Sequence, residues 1–118
     1  NQKNYWIENF EIDIIELYTK DKLLIPDNYQ LKDAYPNPFN PVTTIVYGIP
    51  EAAYVKILVY DLLGQKVKIL EFSQKEARYF TTQWDGTNQH GESVSAGMYF
   101  YRIRTGNFSD TKKIILLK

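Results

Sequence analysis

The segment WDGTNQHGESVSAGMYFYRIRTGNFSDTKKIILLK, residues 84–118, predicts the fold of this chain. It begins as a polar, turn-rich loop, and residues 97–105 then alternate between two sets of side chains, as in a β-strand. Gly106 and Asn107 fit a two-residue hairpin turn, after which residues 108–118 return as a second strand. An isolated hairpin is at best marginally stable in water, so the rest of the chain must supply strands that bury it.

Four further segments have the composition of β-strands. Valine, isoleucine, threonine and aromatic residues favour strands, and the whole chain contains 10 tyrosines, 6 phenylalanines and 2 tryptophans. Turns such as DLLG at residues 61–64 separate the segments. The four segments are residues 43–50, 53–61, 65–72 and 78–84. This pattern predicts an all-β fold, an immunoglobulin-like β-sandwich of about seven short strands with an extra strand at the N-terminus.

The segment AYPNPFNPVTT, residues 34–44, contains three prolines and cannot pair as a central strand, because proline lacks the backbone donor. We expect an extended segment leading into the sandwich, with Tyr35 and Phe39 as buried anchors. Asn37 and Asn40 are expected to cap turns within it. A segment this rich in proline would also block unwanted strand addition at the sheet edge.

The N-terminal residues divide into two parts. Residues 5–18, YWIENFEIDIIELY, fit either a helical stripe or an alternating strand, and their isoleucines and tyrosines favour a strand. This strand resembles the closing strand of jelly-roll carbohydrate-binding or adhesion domains. Residues 1–18 are therefore predicted to be the closing strand of a preceding domain or an added edge strand of the main domain. Residues 19–30 are predicted to be a linker, and residues 31–118 the main domain.

Composition excludes several classes of function. The chain has no cysteine, so disulfides and thiolate chemistry are absent. No apolar run approaches the ~20 residues of a membrane helix, and we expect no membrane insertion. Net charge is zero, with three lysines and six acids in residues 1–30 but five cations and one acid in residues 102–118. This balance gives no support for nucleic-acid binding, and the basic end is interpreted as a solvated strand face.

Candidate catalytic and metal-binding residues are few. The single histidine, His90, lies in a polar loop, and no motif for nucleophilic, zinc or phosphate chemistry occurs, so the chain is predicted not to be an enzyme. Asp85, Asn88 and Glu92 share one loop and are weak candidates for calcium ligands. A turn-stabilising role of Asp85 is favoured over metal binding, and no cofactor is expected.

Five separated motifs in this chain resemble a known family. They are YPNPFNP, VYDLLGQKV, QWDG, SAGMYFYRI and the final KKIILLK, in that order. Together they resemble the C-terminal sorting domain of type IX secretion cargo, and are similar also to the immunoglobulin-like domain of the flagellar hook-capping protein. The resemblance extends over residues 31–118.

The resemblance implies a small β-sandwich that is recognised by the secretion translocon while its attached passenger crosses the periplasm and then the outer membrane. A surface protease would remove the domain, with cleavage expected in residues 19–30, and the passenger would remain on the cell surface or enter the medium. Turn positions are implied at Asp61, Gly64, Asp85 and Gly86. The sorting and recognition residues implied are Gly97, Tyr99, Lys112, Lys113, Leu117 and Lys118.

Two other classes of function stay open on the residues alone. A structural subunit of an extracellular assembly would use the same sandwich for strand-mediated self-association. A carbohydrate-binding module would stack exposed aromatic side chains, such as Tyr5, Trp6 or Tyr79, on sugar rings.

Overall fold

The computed structural model describes residues 25–118, and every regular element within them is a β-strand. The predicted N-terminal extra strand, in residues 1–18, lies outside the described residues. The predicted all-β fold is confirmed. The strands are β1 Gln30–Leu31, β2 Thr43–Ile49, β3 Ala53–Tyr60, β4 Lys66–Lys75, β5 Arg78–Trp84, β6 Gly97–Thr105 and β7 Phe108–Leu116. Within residues 25–118 the structure contains no helix long and apolar enough to cross a membrane.

The strands form an immunoglobulin-like sandwich of two antiparallel sheets. The first sheet has the order β1-β2-β5, and the second has the order β4-β3-β6-β7. Strand alternation turns Val55, Ile57 and Val59 of β3 into the space between the sheets, where all three are fully buried. β7 is therefore an edge strand among the described residues, none of which forms a neighbouring strand on its outer edge.

Aromatic side chains fill the part of the core next to the C-terminal end of β7. Trp84, at the end of β5, packs between Phe39 and Tyr99, with ring centroids 5.4 and 5.1 Å away. The Tyr101 hydroxyl accepts a hydrogen bond from the Ala34 N–H and donates one to the Lys32 carbonyl, both at 2.8 Å. The segment before β2 is thereby fixed to the centre of the second sheet.

The proline-rich segment differs from expectation at two residues. Phe39 is buried as predicted, but Tyr35 is 80% exposed, because Ala34 turns into the core and the next residue of an extended chain faces outward. The backbone of Tyr35 nevertheless exchanges two hydrogen bonds with Thr44. Asn37 was expected to cap a turn, but its side chain instead bonds to the backbone of β7. The prediction was wrong because local sequence does not reveal a neighbour 78 residues away.

The described end of the predicted linker packs on the sandwich. Pro26 is buried beside Gly48, where a Cβ would lie only 2.7 Å from the proline ring and 2.8 Å from Tyr79. Tyr29 stacks on Phe108 with ring centroids 5.6 Å apart. The domain boundary near residue 31 stays a prediction, although contacts with the sandwich begin at Pro26.

Candidate recognition surface at the terminal hairpin

The hairpin of β6 and β7 has the predicted turn. Thr105 pairs with Phe108, which leaves Gly106 and Asn107 as the two loop residues. Gly106 has a φ of 56°, whereas no residue other than glycine has a positive φ in the described chain. Positive φ at the first loop position alone is the pattern of a type II′ turn, which matches the twist of the flanking strands.

Two residues marked by the resemblance support the hairpin from within. Gly97 begins β6 with a φ of 145°, a conformation that side-chain-bearing residues rarely adopt. Tyr99 is buried against Trp84, and its hydroxyl donates to the Ser95 carbonyl. Burial raises the pKa of Tyr99, and the nearby negative charge of Asp61 adds to the effect. The phenol therefore stays neutral, and both residues serve the fold of the hairpin.

The neighbouring lysines Lys112 and Lys113 point to opposite sides of β7, as strand alternation requires. Lys112 is half-buried, and its Nζ lies 3.0 Å from Oδ1 of Asp33, on the segment before β2. Lys113 is exposed. The basic pair therefore does not form one patch, and only Lys113 of the two is presented outward.

The chain end combines anchored and exposed side chains. Ile114 and Leu116 are buried in the core, and they hold the last strand in place. Leu117 is 49% exposed, and Lys118 is exposed beside it. Lys113, Leu117 and Lys118 are therefore the residues of the predicted set that a partner can reach.

The outer edge of β7 is partly covered by the proline-rich segment. Phe39 N–H donates to the Ile115 carbonyl, and Leu117 N–H donates to the Phe39 carbonyl, both at 2.9 Å. The Asn37 side chain accepts from Ile115 N–H at 3.0 Å and donates to the Lys113 carbonyl at 3.3 Å. The Asn37 side chain and the Phe39 backbone thus bond to the C-terminal half of β7 as a neighbouring strand would.

The N-terminal half of the same edge is open among the described residues. Because Ile115 and Leu117 turn their backbone groups away from β6, the alternation of an antiparallel ladder turns Ser109 and Thr111 the same way. Thr111 N–H is bonded to the side chain of the neighbouring Asp110. We call residues 109–113 the open edge, with the exception of the Lys113 carbonyl, which accepts from Asn37. An edge strand of this kind is a template for strand addition, and its short length and charged ends limit indiscriminate pairing.

The loop between β5 and β6 explains the residues considered for calcium. Oδ1 of Asp85 accepts from Thr87 N–H at 3.2 Å and lies 3.5 Å from Nζ of Lys68. Its hydrogen bond with the Thr87 hydroxyl, assisted by the lysine, lowers the pKa of Asp85. Oδ1 of Asn88 accepts from the N–H groups of His90 and Glu92. The oxygens thus serve turns of the loop, and no cluster of three His, Asp or Glu residues in 25–118 is arranged to hold a metal.

The same loop covers the opposite edge of the second sheet. Gln89 donates its N–H to the Val67 carbonyl at 2.9 Å, and its Oε1 accepts from Ile69 N–H at 2.8 Å. A side-chain amide thus caps β4, much as Asn37 caps β7. Neither cap is predicted by the local sequence pattern, and the signal that they share is an amide residue within a turn-rich segment.

Tyr79, a candidate for sugar stacking, is half-buried and does not offer an open platform. One side of its ring lies beside Gly48, and the Lys32 ammonium lies 5.8 Å from the ring centroid. Tyr5 and Trp6 lie outside the described residues. Tyr79 therefore gives no support for the carbohydrate-binding alternative.

Fold and site together define a class: an immunoglobulin-like sandwich domain closed by a terminal edge strand that is capped by a proline-rich segment. Residues 33–117 match a family model described as the secretion system C-terminal sorting domain. The chain belongs to this family, and the type IX resemblance is confirmed. A search of curated proteins finds no match.

Solved structures share the fold. Dimeric latent PorU from Porphyromonas gingivalis matches with a TM-score of 0.63 and 21% identity over 78% of this chain and 9% of PorU. PorZ, a surface component of the type IX secretion system of the same organism, gives a TM-score of 0.51 and 18% identity over 78% of this chain and 12% of PorZ. FlgD from P. aeruginosa gives a TM-score of 0.52 and 20% identity over 77% of this chain and 67% of FlgD. The chain thus spans only a small part of PorU and PorZ.

Proposed function

We propose that this domain is a non-catalytic sorting signal that directs an attached passenger across the outer membrane by the type IX secretion system, to the cell surface or the medium. The family match over residues 33–117 is the observation that supports this most directly. The partners in this account are the translocon, a processing protease at the surface and the passenger itself. The passenger would reach them through the periplasm.

The exposed part of the terminal hairpin is the proposed recognition element. Lys113 and Lys118 supply charge, Leu117 supplies an apolar contact, and the open edge supplies backbone donors and acceptors. A receptor that accepts many unrelated passengers needs features present on every tag, and a strand edge with adjacent charges meets that need. Gly97, Tyr99 and Lys112 would act indirectly, by holding the hairpin in its conformation.

A secretion assay tests the role of the charges. A reporter protein is fused ahead of residues 1–118 in a host with an active type IX system, and the variant K113Q/K118Q is compared with K32Q/K75Q, which removes the same charge away from the hairpin. We expect K113Q/K118Q to leave most of the reporter in the periplasm and K32Q/K75Q to be secreted normally. Equal secretion of both variants would show that the two lysines are not recognised.

Processing is tested in the same cultures. Mass spectrometry of the secreted reporter is expected to find a new C-terminus within residues 19–30. An intact linker and domain on the secreted protein would contradict removal of the tag.

The open edge also supports one alternative function, assembly of copies through strand addition. A self-assembling subunit would elute well above monomer size and would shift with concentration, whereas a sorting signal elutes as a monomer. Size-exclusion chromatography with light scattering separates the two.

A further inference from the structure

The outward side of the second sheet has an unusual distribution of charge. We call this side, which faces away from the β1-β2-β5 sheet, the outer face. The register of the four strands places only cations among its charged residues, and no aspartate or glutamate of these strands occupies a position on it. The cations are Lys56, Lys66, Arg102, Arg104 and Lys113.

Apolar side chains lie between these cations. Leu58 is only 1% exposed although it lies outside the inter-sheet core, so the outer face has a small apolar cluster of its own. Tyr54 and Phe72 meet edge to face with centroids 5.2 Å apart, and they are 52% and 55% exposed. Phe100 of β6 lies directly across from Tyr60 of β3.

Two of the cations are positioned by aromatic rings. Lys56 lies 5.6 Å from the centroid of Phe72, and the Arg102 guanidinium lies 6.0 Å from that of Tyr60. Arg102 also donates to the Thr111 hydroxyl at 3.0 Å. None of the five cations forms an ion pair with another residue in the range 25–118. The charges of Lys56 and Arg102 are therefore held in place, and none of the five charges is neutralised by an ion pair within residues 25–118.

One end of the outer face contains a depression of about 260 Å³. Asp61 lies at its rim, but its Oδ1 accepts hydrogen bonds from Leu63 N–H and Gln65 N–H within the turn. The depression therefore offers an apolar floor next to a guanidinium. It is lined by Tyr60, Asp61, Leu62, Gly64, Phe100, Arg102 and Thr111.

The other sheet presents a different outward side. Its Gly48 is covered by Pro26 and Tyr79 of the same chain, and Lys32 lies over the Tyr79 ring. The outer face of the second sheet has no such cover from the residues that the structure describes. It is the side on which apolar area and unneutralised charge coincide.

We propose that the outer face docks an acidic polypeptide segment that also presents apolar side chains. Charge complementarity selects an acidic partner, because the five cations attract acidic side chains and repel basic ones. Arginine, tyrosine, phenylalanine and methionine are enriched at protein interfaces, and the aromatic contacts preorganise the cations. This surface shares Lys113 with the exposed part of the terminal hairpin, but it extends over β3 and β4 and therefore goes beyond recognition of the hairpin.

A polypeptide fits the face better than a membrane does. Membrane-binding surfaces push apolar side chains into the lipid boundary. On the outer face Phe72 packs edge to face against Tyr54, and Tyr60 lies beneath Arg102, so these rings are held by neighbouring side chains of the sheet. A sheet surface of this kind matches an extended polypeptide, whose carboxylates can reach the guanidinium groups with paired hydrogen bonds.

The test measures binding of labelled polymers to the full chain by fluorescence anisotropy. The probes are a random copolymer of glutamate and tyrosine, the glutamate homopolymer, and vesicles containing phosphatidylglycerol. We expect the copolymer to bind more tightly than the homopolymer, and K56Q/R102Q/R104Q to weaken its binding by about tenfold. The control K32Q/K75Q/R78Q removes the same charge from residues that also lie over aromatic rings, and it should bind as the parent does.

A second variant keeps the test decisive if the triple variant is unstable. F72A removes an exposed ring that also positions Lys56, so it should weaken copolymer binding more than homopolymer binding. Equal weakening by the face and control variants would overturn the proposal, as would equal binding of the two polymers. Binding to vesicles without binding to the copolymer would show that the partner is a lipid surface, which also overturns it.

Discussion

The substitution Asn37→Ala tests whether a single side chain closes the terminal edge strand. It removes the acceptor for Ile115 N–H and the donor to the Lys113 carbonyl. Each intramolecular hydrogen bond contributes about 0.5–1.5 kcal/mol net, and the bond to Lys113 is long and exposed, so we expect a loss of about 1–2 kcal/mol in the free energy of unfolding. For a domain of this size a loss of 1 kcal/mol lowers Tm by about 4–8 °C.

Urea and thermal unfolding give the stability change, and amide hydrogen exchange locates it. The Ile115 amide should exchange faster in N37A, whereas the Leu117 amide, bonded to the Phe39 carbonyl, should change less. Asn40→Ala is the matched control, because Asn40 is an exposed asparagine of the same segment. It should change the stability by no more than about 0.5 kcal/mol. If N37A is as stable as N40A and Ile115 exchange is unchanged, Asn37 does not close the edge.

Three further perturbations follow from the described contacts. Tyr101→Phe leaves the Ala34 N–H without its acceptor and should cost about 1–3 kcal/mol in urea unfolding, whereas Tyr35→Phe, at an exposed ring, should be neutral. Burial raises the pKa of Tyr101 from 10.0 to about 12. The neutral phenol therefore stabilises the fold fully below pH 10, and this stabilisation is lost as pH rises towards 12. Urea unfolding over this range should show a decrease in the free energy of unfolding, and the decrease should be smaller in Y101F. Gly48→Ala places a Cβ 2.7 Å from Pro26 and 2.8 Å from Tyr79 and should cost about 1–3 kcal/mol in urea unfolding; a cost below about 0.5 kcal/mol would contradict the close packing of Pro26.

The strands and the terminal turn were predictable because they depend on local pattern. Alternation in residues 97–105 and the pair Gly106-Asn107 are sufficient to place β6, β7 and the turn between them. Phe39 was predictable as an anchor, since a phenylalanine amid prolines has few other ways to be buried. β6 and β7 pair with each other, close in sequence, and Phe39 needs only an apolar core into which it can be buried.

The edge cap and the separation of the two lysines were not predictable in the same way. Asn37 bonds to Ile115, and Lys112 pairs with Asp33, so both depend on which distant segments the sandwich brings together. Alternation alone does imply that adjacent lysines in a strand face opposite sides. It does not tell which of them meets a carboxylate and which one stays exposed.

The cationic outer face needed the strand register as well as the sequence. Lys56 and Arg104 are 48 residues apart but lie directly across from each other on β3 and β6. The net charge of the chain is zero, so composition hides the local excess. The strand pairing shows that these cations share the outer face, whereas the acidic residues lie in loops or on other surfaces of the domain.

The most direct test of the account is secretion of a passenger that has no signal of its own for the outer membrane. A reporter carrying a periplasmic export signal is expressed with and without residues 1–118 in a type IX host and in the same host lacking the translocon, and the reporter is quantified on the surface, in the medium and in the periplasm. The account predicts surface or extracellular reporter only when both the domain and the translocon are present. Folded fusion protein that stays in the periplasm of the competent host would contradict it.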